Sequence, residues 1–176
     1  MKVLTSPRLK LRKLVLNDAE FIVELLTDPD SLKYIGDRGV KNVEDAVAYI
    51  QQGPQSMYQQ HDFGLLLVES LKYQTSMGLC GLLKRPELPF PDLGFAFLPE
   101  YRKQGLASEA AKLVLADAYQ RQVVQKVLAI TSLDNHKSIH LLEKLGFNYK
   151  ELIRLKDSPD ETRLYELTSE IKCILP

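Results

Sequence analysis

Cysteine is scarce in this sequence of 176 residues. The two cysteines, Cys80 and Cys173, have no CxxC neighbour. A disulfide framework needs an even and closely spaced set of cysteines, and a thiolate zinc site needs paired ones. We therefore interpret both cysteines as small buried hydrophobic side chains. The three histidines show no spacing that would predict a metal site, and we expect no bound metal.

The sequence also lacks a surplus of either charge and any long apolar run. It carries 23 basic and 23 acidic residues, whereas a general nucleic-acid binder normally shows a basic surplus. No apolar stretch approaches the ~18 residues of a membrane-spanning helix. The segment "MKVLTSPRLKLRKL" lacks the continuous apolar core of a signal peptide. We therefore expect a cytoplasmic monomer or homodimer, without nucleic-acid or membrane partners, folded as one domain over residues 1–176.

What the sequence contains is a mixture of helix and strand patterns. Apolar residues recur with a helical period in the segments 18–27, 42–52, 105–120 and 136–145. Strand patterns occupy the segments near 8–14, 63–69, 77–84, 93–97, 126–131, 149–155 and 162–171. The crossover between 93–97 and 126–131 is long enough to join two parallel strands. The sequence therefore predicts an α+β fold with a mixed sheet.

The segment "LPEYRKQGLASEA", residues 98–110, places two cations and a glycine between a strand and a helix. The N-terminus of a helix exposes unpaired backbone N–H groups and carries about half a positive charge. Gly105 allows the backbone to approach a ligand closely, and Arg102 and Lys103 add positive charge. The turn matches neither a Walker loop nor a GxGxxG loop. It is either a solvated charged turn or a binding site for a pyrophosphate.

A second strand-to-helix junction lies in "NHKSIHLLEKLGF", residues 135–147. Read alone, Asn135 caps the helix and Ser138 is a solvated residue of its first turn. Gly146 is expected to end the helix in the left-handed conformation. The two junctions follow neighbouring parallel strands, and ligands bind at the carboxyl ends of such strands. Together they favour one binding site shared by both junctions.

With "DLGFAFLPEYRKQGLASEA" followed by "NHKSIHLLEKLGF", the chain resembles the GNAT superfamily of acyl-CoA-dependent N-acetyltransferases. The opening "LTSPRLKLRKLVLNDAEFIVELLTDP" is similar to the start of its RimJ/RimL branch, which acetylates N-terminal amines of ribosomal proteins and other small amines. The resemblance implies the GNAT fold, a mostly antiparallel twisted sheet of about seven strands flanked by about four helices. It also implies acetyl-CoA as cosubstrate.

The resemblance assigns cofactor-binding roles to the residues of both junctions. Backbone N–H groups of the loop bind the pyrophosphate of coenzyme A, and here that loop comprises Arg102, Lys103, Gln104, Gly105, Leu106, Ala107 and Ser108. Phe97 and Leu98, at the end of the preceding strand, are expected to pair their backbone with the pantetheine arm. Asn135 matches the asparagine that contacts the pantetheine region.

The catalytic and acceptor-binding groups follow less directly from the resemblance. Asp92 falls where the branch often has a glutamate, so it is the first candidate for the general base, and Asp157 is the second. Many members use a tyrosine near the start of the last helix as general acid, and this chain has none there. Ser138 matches the branch's serine and is expected to hydrogen-bond the leaving thiolate instead. Tyr34 and Arg38, in "LKYIGDRGV", are the candidates for contact with the acceptor.

Three functions remain open at this point. The first is acetylation of a protein or peptide N-terminus. The second is acetylation of a small amine, such as a drug, a polyamine or an amino sugar. The third is a non-catalytic acyl-CoA sensor that kept the cofactor loop and lost the chemistry. The sequence does not name the acceptor amine.

Overall fold

A mixed β-sheet of eight strands organises the part of the chain that the computed structural model describes, residues 2–156 and 160–168. The strands are β1 (Leu4–Thr5), β2 (Leu9–Lys13), β3 (Leu65–Ser70), β4 (Ser76–Leu83), β5 (Asp92–Phe97), β6 (Lys126–Ser132), β7 (Asn148–Arg154) and β8 (Glu161–Thr168). They lie in the order β1-β2-β3-β4-β5-β6-β8-β7, and every neighbouring pair is antiparallel except β5 and β6. The predicted α+β fold with a mixed sheet is confirmed.

Six α-helices flank the sheet within the described residues. They are α1 (Ala19–Thr27), α2 (Pro29–Tyr34), α3 (Val43–Ile50), α4 (Ser56–His61), α5 (Leu106–Gln120) and α6 (His136–Lys144). Four of them correspond to the predicted helices, whereas α2 and α4 are additional. None of these helices combines the length and the apolar character that crossing a bilayer requires.

The two additional helices arise at prolines that the sequence pattern indicates as helix ends. The side chain of Asp28 accepts a hydrogen bond from the N–H of Ser31, and Pro29 occupies the first helical position, so α2 begins directly after α1. Pro54 lies in a π-helical segment, Gln51–Gln55, that joins α3 to α4. A π-helical turn has already replaced the regular i to i−4 hydrogen bond that a proline removes, so the chain continues as a helix.

Apolar layers cover both faces of the sheet. α5 and α6 pack on one face together with Leu93 and Phe97 of β5. α1 and α3 pack on the other face, in a layer that includes Ala96. Because side chains alternate along a strand, Asp92 lies on the same face as Ala96. We call the two sides the α5/α6 face and the α1/α3 face.

In the described residues, β5 and β6 are joined through a single pair. Asp92 lies opposite Leu128, and the N–H of Leu128 donates to the carbonyl of Pro91 at 2.8 Å. Beyond that pair, β5 continues to Phe97 beside β4, and β6 continues to Ser132 beside β8. The two strands therefore part toward their carboxyl ends. The gap between them, which we call the split, opens the sheet beside both strand-to-helix junctions.

Candidate active site

The edge of β5 that borders the split presents backbone groups without a strand partner. The N–H of Leu98 donates to the carbonyl of Met77 at 3.0 Å. Phe97 lies opposite Gly78 in the register with β4. In an antiparallel ladder this combination makes Phe97 and Gly78 a non-hydrogen-bonded pair, so the N–H and C=O of Phe97 point away from β4. By alternation, the N–H and C=O of Phe95 also point into the split.

This geometry revises the two residues expected to pair with a pantetheine arm. Leu98 has no backbone group to offer, because its N–H is bonded to β4 and its carbonyl accepts from the N–H of Tyr101 at 3.0 Å. The carbonyl of Phe97 accepts from the Nε of Arg102 at 2.7 Å, which leaves its N–H for a ligand. The role expected for Leu98 stays a prediction, and the two hydrogen bonds of its own backbone disfavour it. Phe95, which the sequence pattern did not single out, faces the split with both backbone groups.

The turn after β5 forms a cradle of backbone donors at the start of α5. Lys103 and Gly105 adopt left-handed conformations, with φ of 60° and 77°. For a residue with a Cβ this conformation costs about 1–2 kcal/mol. Within the described chain, no acceptor pairs with the N–H groups from residue 103 to residue 108. A strained, donor-rich helix start of this kind is typical of an anion-binding site.

The side chain of Arg102 is committed to α2. Its Nη1 lies 2.7 Å from Oδ2 of Asp30, and its Nη2 lies 2.5 Å from Oδ2 of Asp28. Burial raises the pKa of the Asp28 carboxyl, but the hydrogen bonds that it accepts, first among them that from Arg102, hold the pKa below its usual value. The N–H of Arg102 donates to the carbonyl of Pro99 at 3.2 Å. Arg102 therefore fixes the position of the loop and contributes no backbone donor to the cradle.

Of the polar side chains in the loop, those of Lys103 and Ser108 remain available to an anion. Gln104 donates its amide to a carbonyl of the preceding turn at 2.6 Å. Leu106 is buried in the layer on the α5/α6 face, and Ala107 packs against that layer. Lys103 is exposed and Ser108 is half-buried, and neither side chain has a hydrogen-bond partner in the described residues.

Arg8 and Ser6, between β1 and β2, hold the loop from its other side. The Nη1 of Arg8 donates to the carbonyl of Gln104 at 3.0 Å, and its Nε donates to Oε2 of Glu109 at 2.7 Å. The hydroxyl of Ser6 donates to Oε1 of Glu109 at 2.6 Å. The sequence did not predict these hydrogen bonds, because Arg8 and Glu109 are 101 positions apart and no local pattern indicates such a pair.

α2 crosses the mouth of the split. Its first residues are joined to the loop after β5 through Arg102. Near its end, the Nζ of Lys33 lies 2.7 Å from Oδ2 of Asp134, which follows β6. The same Nζ donates to the hydroxyl of Tyr34 at 3.1 Å. The structure therefore places Tyr34, a candidate acceptor contact, at the point where α2 meets the second junction.

The second junction has the predicted cap. Oδ1 of Asn135 accepts from the N–H of Ser138 at 3.1 Å, which confirms Asn135 as the residue that begins α6. The hydroxyl of Ser138 is half-buried and has no partner among the described residues. Thr131, near the end of β6, also has a buried hydroxyl without a partner in the described chain. The sequence could have indicated Thr131, because it is the polar residue that ends the apolar run "KVLAIT".

Asp92 lies at the closed end of the split, with 1% of its side chain exposed. The Nε of Arg85 lies 3.1 and 3.0 Å from its two carboxylate oxygens. Burial raises the pKa of Asp92 above the usual carboxyl value, and the charges of Arg85 and Arg38 oppose that rise without cancelling it. A raised pKa makes a carboxylate a stronger proton acceptor. The other candidate base, Asp157, lies outside the described residues.

A cleft of about 380 Å³ opens on the α1/α3 face, between the α2–α3 connection and α3. Its lining residues are Arg38, Gly39, Asp45, Ala48, Tyr49, Gln52 and Gly53. Burial raises the pKa of the Tyr49 hydroxyl, and the charges of Arg38 and Arg85 oppose that rise. Tyr49 packs in the same apolar layer as Leu83, which is the register partner of Asp92 in β4. The cleft therefore opens on the face of the sheet where Asp92 is buried.

The split and the cradle fit a carrier molecule with a long amide-containing arm joined to a pyrophosphate. An extended arm with amide groups can pair with the backbone of Phe95 as an added strand would, while phosphates lie on the start of α5. The buried carboxylate of Asp92 supplies a proton acceptor nearby. In the described residues, no group of three or more His, Cys, Asp or Glu side chains is placed to hold a metal ion.

Known proteins share this architecture. A family model described as an acetyltransferase (GNAT) domain matches residues 8–148. YoaA, an uncharacterized N-acetyltransferase of Bacillus subtilis (strain 168), is 24% identical over 172 residues, which cover 94% of this chain and 96% of YoaA. The likeness to YoaA therefore extends over nearly the whole of both proteins.

Two solved structures have the same fold. An acetyltransferase from Agrobacterium tumefaciens str. C58 gives a TM-score of 0.80 at 19% identity, covering 95% of this chain and 94% of that chain. RimL, a ribosomal L7/L12 α-N-protein acetyltransferase in complex with coenzyme A, gives a TM-score of 0.73 at 13% identity, covering 95% of this chain and 98% of that chain. The resemblance seen in the sequence is thereby confirmed: the chain belongs to the GNAT acetyltransferase family and is an N-acetyltransferase that uses acetyl-CoA as its cosubstrate.

Proposed function

We propose that this protein transfers the acetyl group of acetyl-CoA to the α-amine of a protein or peptide N-terminus. The observation that carries the proposal is the position of Asp92, a buried carboxylate with a raised pKa at the closed end of the split, on the face of the sheet where an open cleft lies. A chain end can enter such a cleft from solvent. RimL, which has the same fold, is named for α-N-protein acetylation. The proposal places the reaction in the cytoplasm, and the balance of 23 basic against 23 acidic residues gives no reason to include a nucleic acid.

The cofactor is positioned mainly by backbone groups in this proposal. The pyrophosphate of coenzyme A lies on the N–H groups of residues 103 to 108, where the dipole of α5 favours negative charge. Lys103 and Ser108 add the side-chain contacts. The pantetheine arm runs along the open edge of β5 beside Phe95, and Asn135 contacts it from the start of α6.

The acetyl transfer then needs three groups around the thioester. The amine nitrogen attacks the thioester carbonyl, and the N–H of Phe97, which points into the split, stabilises the oxyanion that forms. Asp92 accepts the proton that the amine loses, through a water molecule where the distance requires it. The carbon–sulfur bond breaks, and the hydroxyl of Ser138 donates a hydrogen bond to the departing thiolate. Asp157 is the alternative proton acceptor.

The size of the cleft favours a second candidate, a small amine. Its volume of about 380 Å³ lies within the usual range for small-ligand sites, roughly 300–1,000 Å³. In this case the acceptor is enclosed by the cleft, whereas a peptide continues from the cleft into solvent. The two candidate functions use the same cofactor site and the same proton acceptor. They differ in what the amine is attached to, a peptide chain or a small molecule.

The test is release of the free thiol of coenzyme A, measured with N-terminal peptides and small amines side by side. We expect turnover with peptides, and mass spectrometry should place the acetyl group on the α-amine. A peptide with a blocked N-terminus and an internal lysine is the control and should remain unmodified. Faster turnover of small amines would favour the second candidate. No thiol release with any amine would reject an enzymatic function and favour an acyl-CoA sensor.

A further inference from the structure

The cleft on the α1/α3 face is lined by two hydrogen-bond donors that the protein does not use in its described residues, those of Arg38 and Tyr49, and Arg85 beside Asp92 has further unused donors. Arg38 lines the cleft and has no hydrogen bond or ion pair with any described residue. Arg85 bonds Asp92 through Nε alone, so its two terminal nitrogens have no partner in the described part of the chain. The hydroxyl of Tyr49 likewise has no hydrogen bond within that part.

Asp45 on the cleft lining, Asp37 next to Arg38, and Asp92 each already accept at least one hydrogen bond. Oδ2 of Asp45 accepts from the N–H of Lys41 at 3.0 Å. Oδ1 of Asp37 accepts from the N–H of Gly39 at 2.7 Å. Asp92 is held by Arg85. Unused donors still outnumber unused acceptors on the lining, because the guanidinium of Arg38 alone carries five N–H groups, and this suits a ligand group that only accepts hydrogen bonds.

An arginine without a partner beside a cleft is suited to an anionic oxygen group. The planar guanidinium binds a carboxylate or a phosphate through two parallel hydrogen bonds, which gives both strength and orientation. Arg38 and Tyr49 line the same cleft, and Tyr49 packs in the apolar layer that contains Leu83. Leu83 lies opposite Asp92 in the register, so an anion held by Arg38 lies on the side of the sheet where the proton acceptor is buried. An amine within a few bonds of that anion can then be directed toward Asp92.

We propose that the acceptor carries a carboxylate or a phosphate close to its amine, and that Arg38 binds this anionic group while the amine faces Asp92. This inference rests on the proposed function and names the chemical class of its acceptor. The hydroxyl of Tyr49 is a further donor on the cleft lining, and the terminal nitrogens of Arg85 are further donors beside Asp92. A polyamine, which offers only cationic groups, meets unused donors and an unpaired arginine in the cleft, and is therefore a poor acceptor.

The test compares matched acceptors that differ in a single anionic group. One pair is a peptide with glutamate at its second position and the same peptide with glutamine. The second pair is a free amino acid and its carboxamide, and the third is an aminoalkyl phosphate and the corresponding amino alcohol. We expect kcat/KM to be about tenfold or more higher for the anionic member of at least one pair, as a bidentate arginine contact provides. The pair that shows this preference identifies the source of the anion.

Variants then assign the preference to Arg38. Arg38→Gln should raise KM for the anionic acceptor about tenfold more than it raises KM for the neutral acceptor, with kcat little changed. Arg38→Lys should keep part of the preference, because it retains the charge and loses the planar fork. Lys41→Gln removes an exposed cation that does not line the cleft and should behave as wild type.

The outcomes separate this inference from the proposed function. Equal kcat/KM within every pair would overturn the inference while acetylation itself stands. An Arg38→Gln variant that loses the same factor on anionic and neutral acceptors would overturn it as well. If wild type releases no thiol with any acceptor, the proposed function fails, and the acceptor class proposed here fails with it.

Discussion

The Nη1 of Arg102 lies 2.7 Å from Oδ2 of Asp30, so the loop that follows β5 is joined to a helix 72 positions earlier in the chain. The neighbouring Nη2 holds Asp28, which is also the cap of α2. One guanidinium therefore fixes both the start of α2 and the position of the cofactor loop. At the other end of α2, the pair of Lys33 and Asp134 is exposed, with 55% and 57% of the two side chains accessible.

We expect Arg102→Met to destabilise the fold and to weaken acetyl-CoA binding. The variant leaves the partly buried carboxylate of Asp28 without its partner, which typically costs on the order of 3 kcal/mol in the free energy of unfolding. The loop then loses its link to α2, and the dissociation constant for acetyl-CoA should rise several-fold. Urea unfolding and a binding titration measure the two effects.

Lys33→Met is the comparison variant and should leave stability nearly unchanged, since its ion pair is solvent-exposed. Equal stability of Arg102→Met and wild type would contradict the link.

Gly105→Val should abolish the stabilisation that acetyl-CoA gives to the folded protein, apart from any loss of stability that the substitution itself causes. In the wild type, acetyl-CoA at 100 times its dissociation constant should stabilise the fold by about 2.7 kcal/mol, and ATP at the same concentration should do little. The valine side chain obstructs the approach of a phosphate to the cradle. Thermal melting with and without acetyl-CoA measures this stabilisation as a shift in Tm.

Gly146→Val is the matched control for Gly105→Val. Both glycines have positive φ, 77° and 88°, and at both a Cβ would find its nearest neighbour at 3.7 Å. The two variants should therefore carry similar backbone strain, about 1–2 kcal/mol. We expect Gly146→Val to keep the shift caused by acetyl-CoA. Loss of the shift in both variants would mean that strain, and not access to the cradle, is responsible.

Asp92→Asn should lower turnover about 10²-fold or more at neutral pH and leave acetyl-CoA affinity close to normal. In wild type, activity should fall as the pH drops through the raised pKa of Asp92, because the protonated carboxyl no longer accepts a proton. The variant should lose this acidic limb. Steady-state kinetics across pH decide the point, and Asp157→Asn is the comparison variant. Wild-type activity in Asp92→Asn would transfer the role to Asp157 or to a chain of water molecules.

The same carboxyl should leave a signature in the pH dependence of stability. Burial raises the pKa of Asp92 in the folded protein, so between the ordinary value of 3.8 and the raised pKa the folded state holds a proton that the unfolded chain has lost. The free energy of unfolding should therefore decrease as pH rises through this interval and become constant above it. Asp92→Asn should remove this contribution. An identical pH profile for wild type and variant would show that the pKa is not raised.

Ser138→Ala and Asn135→Ala should affect different kinetic constants. A hydrogen bond from Ser138 to the thiolate forms mainly in the transition state, so Ser138→Ala should lower kcat more than it raises KM for acetyl-CoA. Asn135→Ala should raise that KM and cost about 1 kcal/mol of stability, because the cap of α6 is lost. Steady-state kinetics and unfolding measurements test both. Full turnover by Ser138→Ala would make the serine a plain first-turn residue.

The sequence by itself determined the features that depend on local backbone preference. The asparagine cap of α6 and the left-handed glycine that follows α6 are present as predicted, because the local backbone conformation at each position favours that residue type. The two junctions on neighbouring parallel strands follow from hydrophobic period and crossover length. These signals sufficed to indicate the α+β fold and the family.

The tertiary structure alone decided what each polar group at the site contacts. The sequence pairs Arg102 with a phosphate, whereas its guanidinium binds acids of α2. The register with β4 decides that Phe95 and not Leu98 faces the split. Burial beside Arg85 sets the pKa of Asp92. Hydrogen bonds and desolvation act over a few ångströms in space between residues far apart in the chain, and no local pattern encodes those distances.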